Sequence, residues 1–310
     1  MIPKLKFYAF VISQLAKALS PQKTEQRTQS RQYMAYHFLI GNADSVTFQR
    51  QDIKWSAFVG DNVTSALFIE GEHHTNILPI VLTWLENNYA DWNQRPIVMN
   101  VGANIGAACI PLVLQTNKNL FAFEPVPDTF KLLQQNVAQN HLQGRISCLN
   151  LAIAATTKQL EMIVPYDSGQ SEVKNHSQGF GVADRDCKIF SVKAISLDEF
   201  INQQDVAPTQ VALVWSDTQG FESDVIESGS AIWQAGTPLW VEVWPLGLQA
   251  HGGMDRFIDC CTRSFTSMIT ATDFQTLGTK AKPRKITEMQ DLVHYLFSSS
   301  AYHTDVLLIP

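Results

Sequence analysis

From residue 96 onward, short continuous apolar runs alternate with longer segments of mixed character, a pattern that predicts a parallel sheet covered on both faces by helices. Residues 97–101 (I-V-M-N-V), 120–123 (L-F-A-F), 146–149 (I-S-C-L), 211–215 (V-A-L-V-W) and 239–243 (L-W-V-E-V) read as its strands. Between them, helices are predicted over residues 105–114 and 128–140, the second started by Pro127 and Asp128. A third runs through Ile226 and stops before Gly229. Residues 160–164 read as a further strand. Residues 167–181, rich in Gly, Ser, Asn and His, read as a long loop of the kind that is either functional or disordered. The C-terminal part predicts a helix over 254–263, a strand over 265–270, a helix over 287–297 and a last strand over 306–309.

Ahead of this pattern the text is less regular. Lys4 and Lys6 precede an apolar stretch at 7–12 that Ser13 and Gln14 interrupt, which predicts an amphipathic helix able to touch a membrane surface or a partner through residues 1–20. A secretory signal competes, because Ala16-Lys17-Ala18 imitates a cleavage site. Residues 20–31 are polar and charged, which predicts a mobile link. The pieces V-T-F-Q-R, S-A-F-V and S-A-L-F-I between residues 46 and 69 read as a small β layer, and residues 77–88 as a helix. The expected organisation is a helix and linker over 1–31, a small α+β extension over 32–94, and the main α/β domain over 95–310.

Composition narrows the function classes. With 45% apolar and 17% charged residues in 310, the chain buries one large core with room for a small appendage. A net charge of -6 supplies no basic stripe for a phosphate backbone, which argues against a nucleic-acid partner and favours small molecules or glycans. Five cysteines without a C-x-x-C pair indicate neither a disulfide framework nor a zinc knuckle, and no H-x-H or H-E-x-x-H spacing points to a metal; cytoplasm is the expected setting. No window of about 18 apolar residues predicts a transmembrane span.

The chemistry concentrates after the first two strands. Residues 100–106 (N-V-G-A-N-I-G) follow a strand and precede a helix, where a glycine turn admits a ligand to the backbone and presents N–H groups, or else serves only a tight turn and close packing. Glu124 ends the second strand 18 residues after Gly106, in position to accept both hydroxyls of a ribose. The pair indicates an adenosine-containing cofactor. It does not by itself separate a dinucleotide from S-adenosyl-L-methionine, although the G-x-G-x-x-G spacing of dinucleotide folds is absent.

The ordered set of Val98 to Gly106, F-A-F-E-P at 121–125, N-L-A-I-A at 150–154, S-L-D-E-F at 196–200 and D-T-Q-G-F-E at 217–222 resembles the FkbM-type methyltransferase family, over roughly residues 60–310. The resemblance implies a class I, Rossmann-like sheet of seven mostly parallel strands with a reversed last strand, here 306–309, and O-methylation of a sugar or other small-molecule hydroxyl. It places Gly102, Ala103, Asn104 and Gly106 on the methionine moiety, Glu124 and Pro125 at the ribose, Asn150 and Ala152 at the adenine edge, and Asp217 near the methyl end. Gly71-Glu72 would be the counterpart of a family element before the first strand, which makes Glu72 a further cofactor contact.

Two positions depart from the family. Asn100 stands where Asp is usual, so it accepts a hydrogen bond from the cofactor ammonium without adding charge, a difference on the order of 1 kcal/mol. Trp215 stands where a Lys often precedes the late Asp. As the base that removes the acceptor's proton, Asp217 and His251 are the candidates, both following strand ends; the competing reading of His251 is an ordinary loop histidine. Glu242 either closes the pocket floor or is satisfied by a helix N-terminus. Trp240 reads as core, and His73 and His74 as candidates for an acceptor pocket. Three functions remain open from the residues: an active methyltransferase, a binding protein that keeps this fold without catalysis, and a nicotinamide-dependent dehydrogenase. In the last, D-T-Q-G-F-E has no place.

Overall fold

The continuous apolar runs become the central strands of an eight-stranded sheet in a computed structural model that describes residues 24–73, 76–164, 172–173, 188–299 and 302–310. The chain divides into two compact units, Met1–His73 and His74–Pro310.

In the first unit, helix α1 (Thr24–Leu39) is followed by strands β1 (Ser45–Arg50) and β2 (Ile53–Phe58) and by helix α2 (Asn62–Ile69). β1 and β2 pair antiparallel through Gln51 and Asp52, both at positive φ, the backbone that a two-residue hairpin requires. Two expectations are corrected. The polar link is helical from Thr24 on, because Tyr36 is buried and its hydroxyl donates to the Asp61 carbonyl (3.1 Å), and a helix anchored at one end propagates easily through Gln, Glu and Arg. The piece S-A-L-F-I is helix rather than strand: the Asp61 side chain caps the N–H of Thr64 (3.2 Å), and Val63 and Leu67 then share one buried face. The predicted helix over residues 1–20 lies outside the described residues. Among those described, no helix is long and apolar enough to cross a membrane.

The second unit opens with α3 (Leu78–Asn88), so this helix belongs with the main sheet rather than with the N-terminal extension. There follow β3 (Ile97–Val101), α4 (Cys109–Leu114), β4 (Asn119–Phe123), α5 (Pro127–Gln139) and β5 (Ile146–Leu149), then β6 (Ala152–Ile153), β7 (Lys158–Val164), β8 (Glu172–Val173) and β9 (Lys188–Ile195). After α6 (Leu197–Gln203) come β10 (Val211–Ser216), α7 (Glu222–Ser228), α8 (Ser230–Gln234), β11 (Leu239–Val243), α9 (Pro245–Ala250), α10 (Met254–Ser264), β12 (Ser267–Thr270), α11 (Ala271–Leu277), β13 (Arg284–Lys285), α12 (Met289–Ser298) and β14 (Thr304–Ile309).

The strand order of the main sheet is β13-β12-β14-β11-β10-β3-β4-β5, with β11, β10, β3, β4 and β5 parallel and β14 reversed between β11 and β12. This is the α/β Rossmann-like methyltransferase arrangement, extended at one edge by the short β13. Chain order turns around between β3 and β10, which creates a crevice at their carboxyl ends. Helix α4 starts four residues later than its apolar spacing suggested, because Asn104 and Gly106 hold positive φ. A second sheet, β6-β9-β7-β8, buries Val126, Ala154, Leu160, Met162, Val192 and Phe221 together. Of its strands, β7 was anticipated and β6 and β9 were not, and β8 interrupts the predicted long loop, whose remaining residues lie outside those described.

At the opposite end of the sheet, buried Arg95 donates to the carbonyls of Val211 (3.1 Å) and Ala235 (2.8 Å) and to Thr237 Oγ1 (3.1 Å), while pairing with Asp91 (2.7 Å). This ties the amino ends of β3, β10 and β11 and leaves the carboxyl ends to carry chemistry. Arg95→Ala is expected to cost about 2 kcal/mol through these lost charge-assisted bonds, seen as a lower urea midpoint at unchanged slope; an unchanged midpoint would refute the assignment.

Candidate active site

The turn after β3 is a self-contained scaffold. The N–H groups of Gly102 and Ala103 both donate to the Phe123 carbonyl (3.1 and 2.9 Å), that of Asn104 to Glu124 Oε2 (2.9 Å), that of Ile105 to Asn104 Oδ1 (2.7 Å) and that of Gly106 to the Ala103 carbonyl (2.9 Å). The expectation that this turn presents unengaged N–H groups to a ligand is therefore corrected. Its glycines serve packing: a Cβ on Gly102 would fall inside the carbonyl oxygen of Asp217, and one on Gly106 would strike Ile110 and Leu133. What the turn does offer is Asn100, buried (1% exposed) at the end of β3. Its Nδ2 donates to the Trp215 carbonyl (3.1 Å), and its Oδ1 has no hydrogen-bond partner among the described residues. A buried acceptor without a donor is costly, and it suits a ligand ammonium.

Glu124 ends β4 beside this turn. Its Oε2 accepts from Asn104 N–H and its Oε1 from Val126 N–H (2.9 Å each), which fixes the carboxylate while leaving each oxygen a second lone pair. Asn150 holds the following Glu124-Pro125 segment, with Nδ2 donating to both of those carbonyls (2.9 Å each). Ala152 is buried in β6. The S-L-D-E-F segment is explained by local structure: Ser196 caps α6 by accepting from Glu199 N–H (3.1 Å).

Asp217 follows β10 and continues its pairing, with its N–H donating to the Val101 carbonyl (3.0 Å). The loop behind it is built by Glu222, whose buried Oε1 accepts from Thr218 N–H (3.1 Å), Thr218 Oγ1 (2.9 Å) and Gly220 N–H (3.2 Å). Gly220, at positive φ, has no room for a Cβ against the backbone of Gly247. So placed, Gln219 Nε2 bridges Asp217 Oδ1 (2.7 Å) and Glu242 Oε2 (2.9 Å), and the other Glu242 oxygen lies 2.9 Å from Nδ1 of His303. Burial, with Asp217, Glu222 and Asp305 nearby, holds the Glu242 carboxyl well above the usual range. Gln219 and His303 escaped the sequence reading. Glu242 ends a strand, as a site residue in this fold does, but its histidine partner stands 61 residues later and comes into reach only through the antiparallel pairing of β11 with β14.

His251 closes α9, only 3% exposed and edge-on to Phe221 at 6.0 Å, with almost no surface to meet an acceptor arriving from solvent. Glu72 and His73 stand at the end of the first unit, after α2, and His74 lies outside the described residues. Trp215 stacks on Trp240 at 4.9 Å inside the fold, so the position where the family often has Lys carries core packing instead.

Burial pushes the Glu124 carboxyl up from 4.5 to about 7 against the opposing N–H groups of Val126 and Asn104. Its ionised form accepts hydroxyls, so affinity for an adenosine ligand is expected to rise as pH climbs through about 7; the free protein meanwhile loses stability over the same climb from the ordinary value. Calorimetric titration between pH 6 and 8 checks this, and Glu124→Gln should flatten the dependence and weaken binding by about 1.5–3 kcal/mol. The Methyltransferase FkbM domain model matches residues 100–263, more than half of the chain. The hexuronic acid methyltransferase AglP of Haloferax volcanii is 27% identical over 163 residues, which are 52% of this chain and 59% of that protein, so the match spans less than two thirds of the relative. Among solved structures, M. jannaschii TYW2 in complex with AdoMet has 10% identity and a TM-score of 0.39, covering 86% of this chain and 85% of that one. P. horikoshii TYW2 in complex with MeSAdo has 13% and 0.38, covering 86% and 70%. The strand order of the main sheet is what identifies the fold. With the family model running from the end of β3 through the loops that follow β10 and β11, the chain belongs to the FkbM-type methyltransferase family, whose members depend on S-adenosylmethionine.

Proposed function

We propose that this chain transfers a methyl group from S-adenosyl-L-methionine to a hydroxyl oxygen of a sugar or another small molecule. The observation that carries the reading is the fit of the crevice at the carboxyl ends of β3, β4 and β10 to that cofactor. Asn100 Oδ1, buried and without a donor among the described residues, suits the ammonium, and Glu124, fixed by two backbone N–H groups, suits the ribose hydroxyls. When bound, the cofactor supplies a methyl group already activated by its sulfonium. The chain's own residues hold the acceptor oxygen in line and give its proton a destination. Asp217, next to Gly102 at the turnaround of the sheet, stands at the reacting end. The sugar preference is supported by the relative named for a hexuronic acid.

Calorimetric titration is expected to show binding of S-adenosylmethionine and none of NAD; NAD binding alone would overturn the reading in favour of a dehydrogenase. Incubation with labelled S-adenosylmethionine and a panel of hexoses, hexuronic acids and an extract of the producing cell is expected to label a glycan or small-molecule hydroxyl. Binding without any labelled product would support a fold that has lost catalysis.

A further inference from the structure

Gln219 stands at φ 54, in the left-handed region that a residue with a Cβ seldom enters, and Gly220 follows it at φ 102. The turn is held there from two sides. Glu222 Oε1 takes the N–H groups of Thr218 and Gly220, the residues that flank Gln219 (3.1 and 3.2 Å). Against the turn lies Gly247 of α9, where a Cβ would come within 3.1 Å of the Gln219 carbonyl oxygen and strike the Trp244 ring. Glycine would satisfy the backbone at 219 without strain. A side chain carried there calls for a use, and strained backbone of this kind collects at functional sites.

The amide shows the use. Nε2 donates one hydrogen to Asp217 Oδ1 (2.7 Å) and the other to Glu242 Oε2 (2.9 Å). The reverse orientation would set the amide oxygen against both carboxyl groups. A neutral carboxyl still accepts through its carbonyl oxygen, so the bridge holds with Glu242 in the protonated form that burial, Asp217, Glu222 and Asp305 favour. Of the two acids, Glu242 has a side chain only 7% accessible, whereas Asp217 is half-buried and open to an acceptor. Among the described residues no Lys or Arg pairs with Asp217 to orient it instead.

We propose that Gln219 is a positioning residue that holds Asp217 by Oδ1, so that the oxygen the amide does not hold takes the proton of the acceptor hydroxyl. This rests on the methyltransferase reading above. As the acceptor oxygen bonds to the methyl carbon, the carbon–sulfur bond breaks and its electron pair returns to sulfur. The hydroxyl proton passes to Asp217 and from there to water. One proton is released for each methyl group moved, and no oxidant or reductant enters. Asp217 is the catalytic residue; Gln219 acts through it and does not touch the acceptor. Glu242 anchors the far side of the amide, and Glu222 of α7 also faces Asp217.

The bridge is read first in the free protein. Nitrogen-15 NMR of the full chain, with the Gln219 side-chain amide assigned through Gln219→Met, is expected to show both amide protons displaced from the positions of free glutamine. Asp217→Ala is expected to return one of them and leave the other displaced. Amide protons at the free positions in the unaltered chain, or a pair that Asp217→Ala leaves unmoved, overturn the proposal. With the acceptor labelled in the assay above, Gln219→Met keeps the side-chain length and removes the donors. It is expected to slow single-turnover transfer by about 10–10²-fold at an unaltered dissociation constant for S-adenosylmethionine. The ascending limb of its pH–rate profile moves to higher pH, because the amide favours the ionised carboxylate; a side chain that served only the fold would leave that limb in place. Should this variant fold poorly, Gln219→Gly, at ease at positive φ, carries the same expectation. Transfer at the unaltered rate by a folded variant overturns the assignment. An unaltered chain that binds no S-adenosylmethionine overturns the methyltransferase reading, and the two failures are told apart because the bridge is read without cofactor or acceptor.

Discussion

The two halves of the main sheet meet at β3 and β10, and they close there only because position 102 carries no side chain. The Asp217 carbonyl occupies the space that a Cβ would take. With β3 and β10 this close, the Asp217 N–H continues the pairing one residue beyond the strand, onto the Val101 carbonyl. Everything proposed for the site depends on that contact. It sets Asn100 against Trp215, fixes the depth at which Asp217 leaves the sheet, and determines where Gln219 reaches. A larger residue at 102 would face both a left-handed backbone and a carbonyl oxygen, and neither can yield without moving a central strand.

Buried carboxylates do the remaining construction, and each does so by collecting N–H groups from irregular backbone. Glu124 gathers the turn after β3 and the start of α5, and Glu222 gathers the loop between β10 and α7. Loops at strand ends would otherwise leave these donors unsatisfied in a region poor in water. The second, smaller sheet supports both from below, since Val126 beside Glu124 and Phe221 beside Glu222 lie in one apolar cluster with β6, β7 and β9. Glu124 and the loop after β10 thus share a mechanical base.

The departures from the family acquire a physical account. Trp215 replaces a charge with stacking on Trp240, which strengthens the core where β10 pairs with β11 and removes any role for a lysine there. Charge beside the turnaround of the sheet comes instead from Asp217 and Glu242, joined by one glutamine amide, with His303 on the other side of Glu242. Burial first, and then the neighbouring Asp217, Glu222 and Asp305, hold the Glu242 carboxyl above the usual range.

Strand positions, the reversed last strand and the acid at the end of β4 were legible in the sequence, because continuous apolar runs and strand-terminal Glu124 are consequences of local pattern. So were the glycines, though not their purpose: sequence spacing cannot tell a turn that meets a ligand from one that meets another strand, and here the neighbour is Asp217. The misread elements fail for related reasons. S-A-L-F-I is apolar enough for either state, and the Asp61 cap that decides for helix lies outside the run. The polar residues from Thr24 are helical because Tyr36 is anchored through contacts 24 and 25 residues away. The pairing of Glu242 with His303 depends on a reversed strand returning 61 residues later. Composition and periodicity determined which segments of the main sheet are strands and that Glu124 stands at the end of β4; long-range register alone decided which side chains meet beside Asp217, because a contact between distant residues leaves no period in the chain.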